Sequence, residues 1–295
     1  MWTEERETSP SDPRSAPAVT VIIPTFNRES FLARAIDSVL VQTHRNFELI
    51  VVDDGSSDAT ASLVASYGGA VRYLFQENRG PAAARNLGIR EARHGLLAFL
   101  DADDHFHPGK LAMQVQAMEA RPELFVSHTQ ETWYRNGRHL NQKLRHRKEG
   151  GDIFARSLEL CVVGMSTVMV RRELFARIGL FDESFPCCED YDLWLRASVA
   201  HEFLLVDAPL TVKHGGRSDQ VSVQHRVGMD RFRIRSLEKL LAAAILSPSQ
   251  RALAGKALAG KATIYGNGCL KHGRREEGLR YLALAAGVAS SPPRG

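Results

Sequence analysis

No stretch of this 295-residue chain approaches the roughly 18 consecutive apolar residues that a membrane-crossing helix needs. The longest candidate, Leu240 to Leu246, reads as one face of a helix. Cysteine is scarce: Cys161, Cys187, Cys188 and Cys269, with no C-x-x-C spacing, which argues against a disulfide framework and for reduced thiols. The eleven histidines contain neither H-x-x-x-H nor H-E-x-x-H, so no zinc site is indicated. No G-x-G-x-x-G follows an apolar run, which removes the usual dinucleotide fingerprint and with it a dehydrogenase. Excess charge is small as well, 38 Lys and Arg against 34 Asp and Glu for a net of +4. That balance implies no nucleic-acid partner but suits anionic ligands such as pyrophosphates or acidic lipid head groups. Residues 1–17 mix charges with three prolines, lack the apolar stretch of a signal peptide and read as a disordered leader. The expectation is a cytoplasmic protein that is not integral to the membrane, with room for peripheral contact at the inner face of the plasma membrane.

What is present is an alternation. Val19-Thr20-Val21-Ile22-Ile23 reads as a strand buried on both faces and closed by Pro24. Phe31, Leu32, Ala35, Ile36, Val39 and Leu40 follow at helical spacing, with Asn27 as a plausible cap. Leu49 to Val52 is a second strand and Ser57-Asp58 opens a helix carrying Leu63 and Val64. Val71 to Phe75 is a third strand, Pro81 sits at the first position of another helix, and Leu96 to Leu100 is a fourth strand. Pro108 opens a further helix. Such a rhythm means right-handed βαβ units and a mainly parallel sheet flanked by helices, an α/β fold. The second half is less regular, with strands expected at Leu124 to Thr132, at Ser166 to Val170, and near Phe203 and Leu210. Tyr134 to Gly151 reads as a basic loop, and helices are expected from Arg172 to Gly179 and from Glu189 to Ala200. Residues 18–225 therefore form one α/β domain, and 226–295, helical in pattern throughout, a C-terminal extension.

Ligands of open parallel sheets bind beyond the carboxyl ends of the strands. Those ends carry Pro24-Thr25-Phe26-Asn27, Asp53-Asp54-Gly55-Ser56 and Asp101-Ala102-Asp103-Asp104. One Asp-Asp-Gly is usually a turn and one D-x-D a common accident, but both at strand ends of one sheet form a much more specific signal. Two acidic clusters on one edge repel unless a cation or a donor-rich ligand lies between them, and a divalent ion with a phosphorylated ligand answers that.

The blocks Val21 to Arg28, Val51 to Asp58, Asn78-Arg79-Gly80 with Ala84-Arg85-Asn86-Leu87-Gly88, Phe99 to Asp104, Phe181-Asp182-Glu183 and Glu189 to Arg196 resemble glycosyltransferase family 2, inverting enzymes of the GT-A fold, in order and over residues 18 to 215. The resemblance implies an inverting, metal-dependent transfer of one sugar from a nucleotide-diphosphate sugar to an acceptor hydroxyl. It places Pro24, Thr25 and Asn27 at the nucleoside and makes Asp54 the carboxylate that accepts the N3–H of uracil, which favours a UDP-sugar. Arg85 would help to fix the nucleotide, with a helix-surface charge as its plainer reading. Asp103 would ligate Mn2+ or Mg2+ directly, Asp101 would reach the ribose or the metal's waters, and His214 stands as a further ligand or a structural histidine. Asp190 corresponds to the general base. An aspartate in the first turn of a helix is helped to stay ionised by the helix dipole.

The Q-x-x-R-W motif of the processive members is absent, since Gln224-His225-Arg226-Val227 does not match it. Single transfer to a saccharide, lipid-linked or small-molecule acceptor is therefore favoured, in cell-surface polysaccharide or glycoconjugate assembly. Oligomeric state stays open. Two other readings stand beside this one. A sugar nucleotidyltransferase needs a glycine-rich basic loop after the first strand, which Pro-Thr-Phe-Asn-Arg is not. A non-catalytic sugar-nucleotide-binding protein would not need Asp101, Asp103 and Asp190 together.

Overall fold

The structure is a computed structural model, and it describes residues 16–225 and 227–290. All of the expected leader except Ala16 and Pro17 lies outside the described residues, as does Arg226. Four strands, β1 (Val19–Thr25), β2 (Phe47–Asp53), β3 (Arg72–Phe75) and β4 (Leu96–Phe99), pair in parallel in the order β3-β2-β1-β4. Helices α1 (Glu29–Leu40), α2 (Thr60–Ala65) and α3 (Pro81–Glu91) make the crossovers. The continuous apolar runs have a physical cause. Val19, Val21 and Ile23 enter one core with α1, while Ile22 enters the opposite core with α3. Leu49 and Val51 face the first core, and Ile50 and Val52 the second. Both faces are covered, so no position along these strands calls for a polar side chain.

Past β4 the sheet changes character. β8 (Met169–Arg171) pairs antiparallel with β4 and with β6 (Val126–Arg135). β9 (Phe203–Gly215) runs parallel to β6 and antiparallel to the short β5 (His105–Phe106). The two strands expected near Phe203 and Leu210 are thus one 13-residue strand. Pro209 is accommodated where the register against β6 shifts, between Thr129 and Glu131. The expected loop from Tyr134 to Gly151 contains β7 (Arg138–Leu140), a hairpin partner of β6. The stretch Ser166 to Val170 divides into a 3-10 turn, Met165–Thr167, and the start of β8.

The remaining helices are α4 (Lys110–Ala120), α5 (Phe154–Glu159), α6 (Glu173–Ile178), α7 (Glu189–Ser198), α8 (Val221–Gln224), α9 (Met229–Ala242), α10 (Pro248–Lys271) and α11 (Arg275–Ser290). α9 ends at Ala242, so Leu240 to Leu246 is not one helix face: Leu240 is buried, and Ile245 is exposed in the turn to α10. Ser247 and Gln250 close a capping box there. The C-terminal helices share a core with the α/β body, since Ile234, Leu237, Leu240 and Leu258 cluster with Leu158, Tyr191 and Leu195 of α5 and α7. Lys239 on α9 adds bonds to Asp182 and Asp192 of 2.6 and 3.0 Å. Among the described residues, no helix is long and apolar enough to cross a membrane, and all four cysteines are free.

One glycine sets the distance between α3 and the sheet. A Cβ on Gly88 would lie 2.5 Å from Ile22 Cγ2 in the middle of β1, so the helix that carries Arg85 packs against the strand that carries Thr25 only without a side chain there. Gly88→Ala is expected to lower the free energy of unfolding by about 1–3 kcal/mol, the range for overpacking a closed core. Gly95→Ala, where a Cβ meets nothing within 4 Å, should stay within about 0.5 kcal/mol of the parent. Urea denaturation of the two variants checks this, and equal midpoints would contradict it.

Candidate active site

The carboxyl ends of β1, β2 and β4 meet at one edge of the sheet, and the loops after them are tied to one another. Asn27, at φ 50°, accepts the Ser57 N–H on its side-chain oxygen at 2.8 Å, while its own N–H donates to Ser56 Oγ at 2.8 Å. It does not cap α1 as expected: Arg28 is the capping residue and no side chain caps that helix. The amide does more by joining the β1 and β2 loops, a link that local helix-start signals do not show. Thr25 is buried and, among the described residues, its Oγ1 has no hydrogen-bond partner. A buried orphan hydroxyl at a cavity wall suits a ligand that completes it.

Asp53 and Asp54 part company. Asp53 is consumed by the fold, accepting from Ser56 N–H and Tyr73 O–H. Asp54 accepts from Gln76 Nε2 at 2.6 Å, from the Arg79 N–H at 2.9 Å and from the Gly80 N–H at 2.8 Å. Three of its roughly four acceptor positions are filled by the turn that opens α3. Asp54 therefore organises that loop and retains about one position for a ligand.

At the end of β4 the three aspartates take three roles. Asp104 is buried, accepts the Ser166 hydroxyl at 2.7 Å and the His214 N–H at 3.1 Å, and is pushed well above the usual carboxylate range by burial, against the pull of Lys213. Asp103 accepts from Arg217 and from Gln220 Nε2 at 3.2 Å, both on the segment that follows β9. Arg217 also lies over the Phe31 ring, and Arg28 bonds Asp219, so this segment is pinned across the β1 and β4 loops. Asp101 accepts from Arg85 Nη2 at 2.8 Å.

Arg85 is not a helix-surface charge. It is buried in α3, and its other terminal nitrogen donates to Glu189 at the start of α7. Burial works against its charge, but Asp101 and Glu189 hold it protonated. Burial likewise pushes the Glu189 carboxyl up, and Arg85 opposes this. One guanidinium thus couples the D-x-D loop to the helix of Asp190. Asp190 itself is half-buried, faces the same cavity, and accepts the Cys161 thiol on Oδ2 at 3.4 Å. Burial, and then Asp190, push that thiol's pKa up, so it stays a donor.

His214 lines the same cavity, but its ring nitrogen meets another histidine rather than Asp101 or Asp103. Its Nε2 lies 3.3 Å from His105 Nδ1, and its ring stacks between His105 and Tyr134. Burial and then Arg34 lower the pKa of both histidines, that of His105 to about 4. Among the described residues no three His, Cys, Asp or Glu side chains group closely enough to hold a metal, so Asp101, Asp103 and His214 do not form a three-ligand cage. One cavity of about 970 Å³ is lined by Thr25, Asp54, Asp103, Asp190, His214 and Arg233 among others. Lys148, expected in a solvated basic run, is instead buried and bonds Glu131 at 3.1 Å. The partners that sequence reasoning missed, Glu189 for Arg85 and Arg217 for Asp103, lie 104 and 114 residues away.

The glycosyl transferase family 2 model matches residues 20–179, more than half of the chain. An uncharacterised glycosyltransferase of Rickettsia felis is 35% identical over 195 residues, 65% of this chain and 32% of its own. The Escherichia coli UDP-Glc:alpha-D-GlcNAc-diphosphoundecaprenol beta-1,3-glucosyltransferase WfgD is 34% identical over 183 residues, 60% of this chain and 68% of its own. The chain thus spans about a third of the length of the first curated relatives it matches. Among solved structures, Staphylococcus aureus TarS 1–349 in complex with UDP-GlcNAc superposes with a TM-score of 0.67 at 20% identity, over 83% of this chain and 72% of that one. Mannosyltransferase PcManGT of Pyrobaculum calidifontis, in complex with GDP-Man and Mn2+, gives 0.59 at 18% identity over 96% and 90%. The fold is the GT-A fold that the family resemblance implies.

Removing Arg85 should leave two carboxylates, one of them fully enclosed, without their counter-charge. Arg85→Ala is expected to destabilise the protein by about 3–5 kcal/mol, the cost of breaking a buried pair from one side. Chemical denaturation reads it, and a loss below about 1 kcal/mol, typical of an exposed pair, would show that the bridge is not holding the site together.

Proposed function

The chain belongs to glycosyltransferase family 2, and on that premise we propose that it is an inverting enzyme that moves one sugar from a nucleotide-diphosphate sugar, a UDP-sugar by preference, to an acceptor hydroxyl. The observation that carries the reading is that Asp101 and Asp190, one on the donor loop and the other on α7, face one cavity and are coupled through Arg85 and Glu189. Thr25 supplies a buried, unpartnered hydroxyl to the nucleoside, Pro24 and Asn27 shape the wall beside it, and Asp54 offers its remaining acceptor position to a base edge bearing an N–H. Asp190 takes the proton of the attacking hydroxyl. The Cys161 thiol, held neutral, orients its carboxylate by donating to it.

A divalent cation fits the donor set. Asp101 and Asp103 are hard oxygen ligands, and no described residue hydrogen-bonds Asp101 Oδ2 or Asp103 Oδ1. Two carboxylate oxygens are what Mn2+ or Mg2+ takes from a protein when phosphate oxygens and waters complete the shell. When bound, such an ion would offset the negative charge that builds on the departing diphosphate. Arg217 and Gln220 now occupy Asp103 Oδ2, so donor entry involves the segment after β9. His214 would contribute only after leaving His105. The acceptor is a saccharide, lipid-linked or small-molecule hydroxyl, and the similarity to WfgD favours the lipid-linked kind, in glycoconjugate assembly. The absence of a membrane-crossing helix among the described residues is compatible with work at the inner face of the plasma membrane.

Isothermal titration should show UDP binding at least about tenfold more tightly with Mn2+ than in chelator, the equivalent of roughly 1.4 kcal/mol, and Asp103→Ala should remove that difference. Equal affinity in the parent protein would contradict the metal assignment. Asp190→Asn is expected to bind UDP as the parent does while losing transfer by about 10²-fold or more, the contribution of a general base. Full turnover in that variant would remove Asp190 from the role.

A further inference from the structure

The wall beside Asp190 is chemically unlike the donor side. Cys187, Cys188 and Met229 pack there with Phe185 and Phe232, and Pro186, Val223, Gln224 and His225 also line the cavity. Into it α9 projects one strong cation, Arg233. The helix is fixed firmly: Ile234 and Leu237 are buried against α5 and α7, Lys239 bonds Asp182 and Asp192, and Arg235 bonds Ser184. Arg233 is therefore held in place before any ligand arrives.

Its charge is only partly used. Nη1 bonds Asp230 at 3.1 Å, one turn back on the same helix, while Nε is buried and has no partner among the described residues. No described residue bonds the Arg233 Nη2, and the planar fork of arginine matches phosphate oxygens in pairs. The other arginine deep in this cavity, Arg85, is already held by two carboxylates, and Arg28 by Asp219. Arg233 lines the same cavity as Cys161, which touches Asp190.

We propose that Arg233 forms the acceptor's phosphate subsite: the substrate is a sugar carrying a phosphate or diphosphate at its reducing end, gripped by Arg233 while a hydroxyl across the ring reaches Asp190. This deepens the glycosyltransferase reading and rests on it. The apolar wall would take a hydrocarbon chain attached to the phosphate, whereas a free sugar phosphate would leave it unused.

The test is calorimetric, on the whole chain with UDP and Mn2+ present. The probes are N-acetylglucosamine, N-acetylglucosamine 1-phosphate and N-acetylglucosamine joined through diphosphate to a farnesyl chain. The phosphate should tighten binding at least about tenfold over the plain sugar, the increment of a charge-assisted hydrogen bond. Arg233→Gln should erase that increment, and Arg233→Lys, which keeps the charge, should retain most of it. A further gain with the farnesyl diphosphate supports the subsite with a lipid-linked acceptor, and no further gain supports it with a free sugar phosphate. The proposal is overturned if the sugar phosphate does not bind, if it binds no better than the sugar, or if Arg233→Gln keeps the preference. UDP titrated alone judges the donor reading separately: it should bind the parent and Arg233→Gln alike. Should UDP not bind at all, the donor reading fails, while the phosphate increment, measured without UDP, still decides the subsite.

Discussion

The bridge from Asp101 through Arg85 to Glu189 is the constraint on which the rest of the site depends. It crosses the line where the parallel half of the sheet meets the mixed half, joining the β4 loop to α7. A buried ion pair earns little net stability once desolvation is counted. Its value here is geometric, because a planar guanidinium with one carboxylate at each terminal nitrogen fixes two elements at a set distance. Both elements bring carboxylates to the cavity, so the same cation that relieves repulsion among Asp101, Glu189 and Asp190 also sets the separation of the β4 loop and α7.

Around that fixed pair, neighbouring groups have divided the labour of charge. Asp53, Asp54 and Asp104 look alike in sequence, yet all three serve largely as internal acceptors, filled by loop N–H groups and hydroxyls. Asp101 and Asp103 each keep one oxygen that no described residue hydrogen-bonds. The segment after β9 answers charge on both loops, with Arg217 and Gln220 on Asp103 and Asp219 on Arg28.

How much of this was legible follows from the range of the interactions. β1, β2 and β4 could be read because burial on both faces leaves continuous apolar runs, and the loops after them follow from the rule for parallel sheets. Asp101, Asp103 and Asp190 could be placed by their motifs. The partner of Arg85 could not, because no local pattern announces a carboxylate 104 residues away. Asn27 looked like a cap because helix-start signals are local, whereas its bonds run to Ser56 and Ser57. β9 looked like two strands because Pro209 interrupts an alternation that the register shift against β6 restores. Arg233 was equally hidden: it sits in a run of alternating arginines, and only the packing of α9 shows which of them lines the cavity.

Direct displacement from one side, with a single carboxylate as base, is the claim that unites these observations. The configuration of the transferred sugar tests it most directly, read from the anomeric proton coupling of the product made from an α-linked UDP-sugar. The account predicts a β-linked product with the large coupling of two axial protons. An α-linked product would mean that configuration is retained, which one base acting on one displacement does not allow.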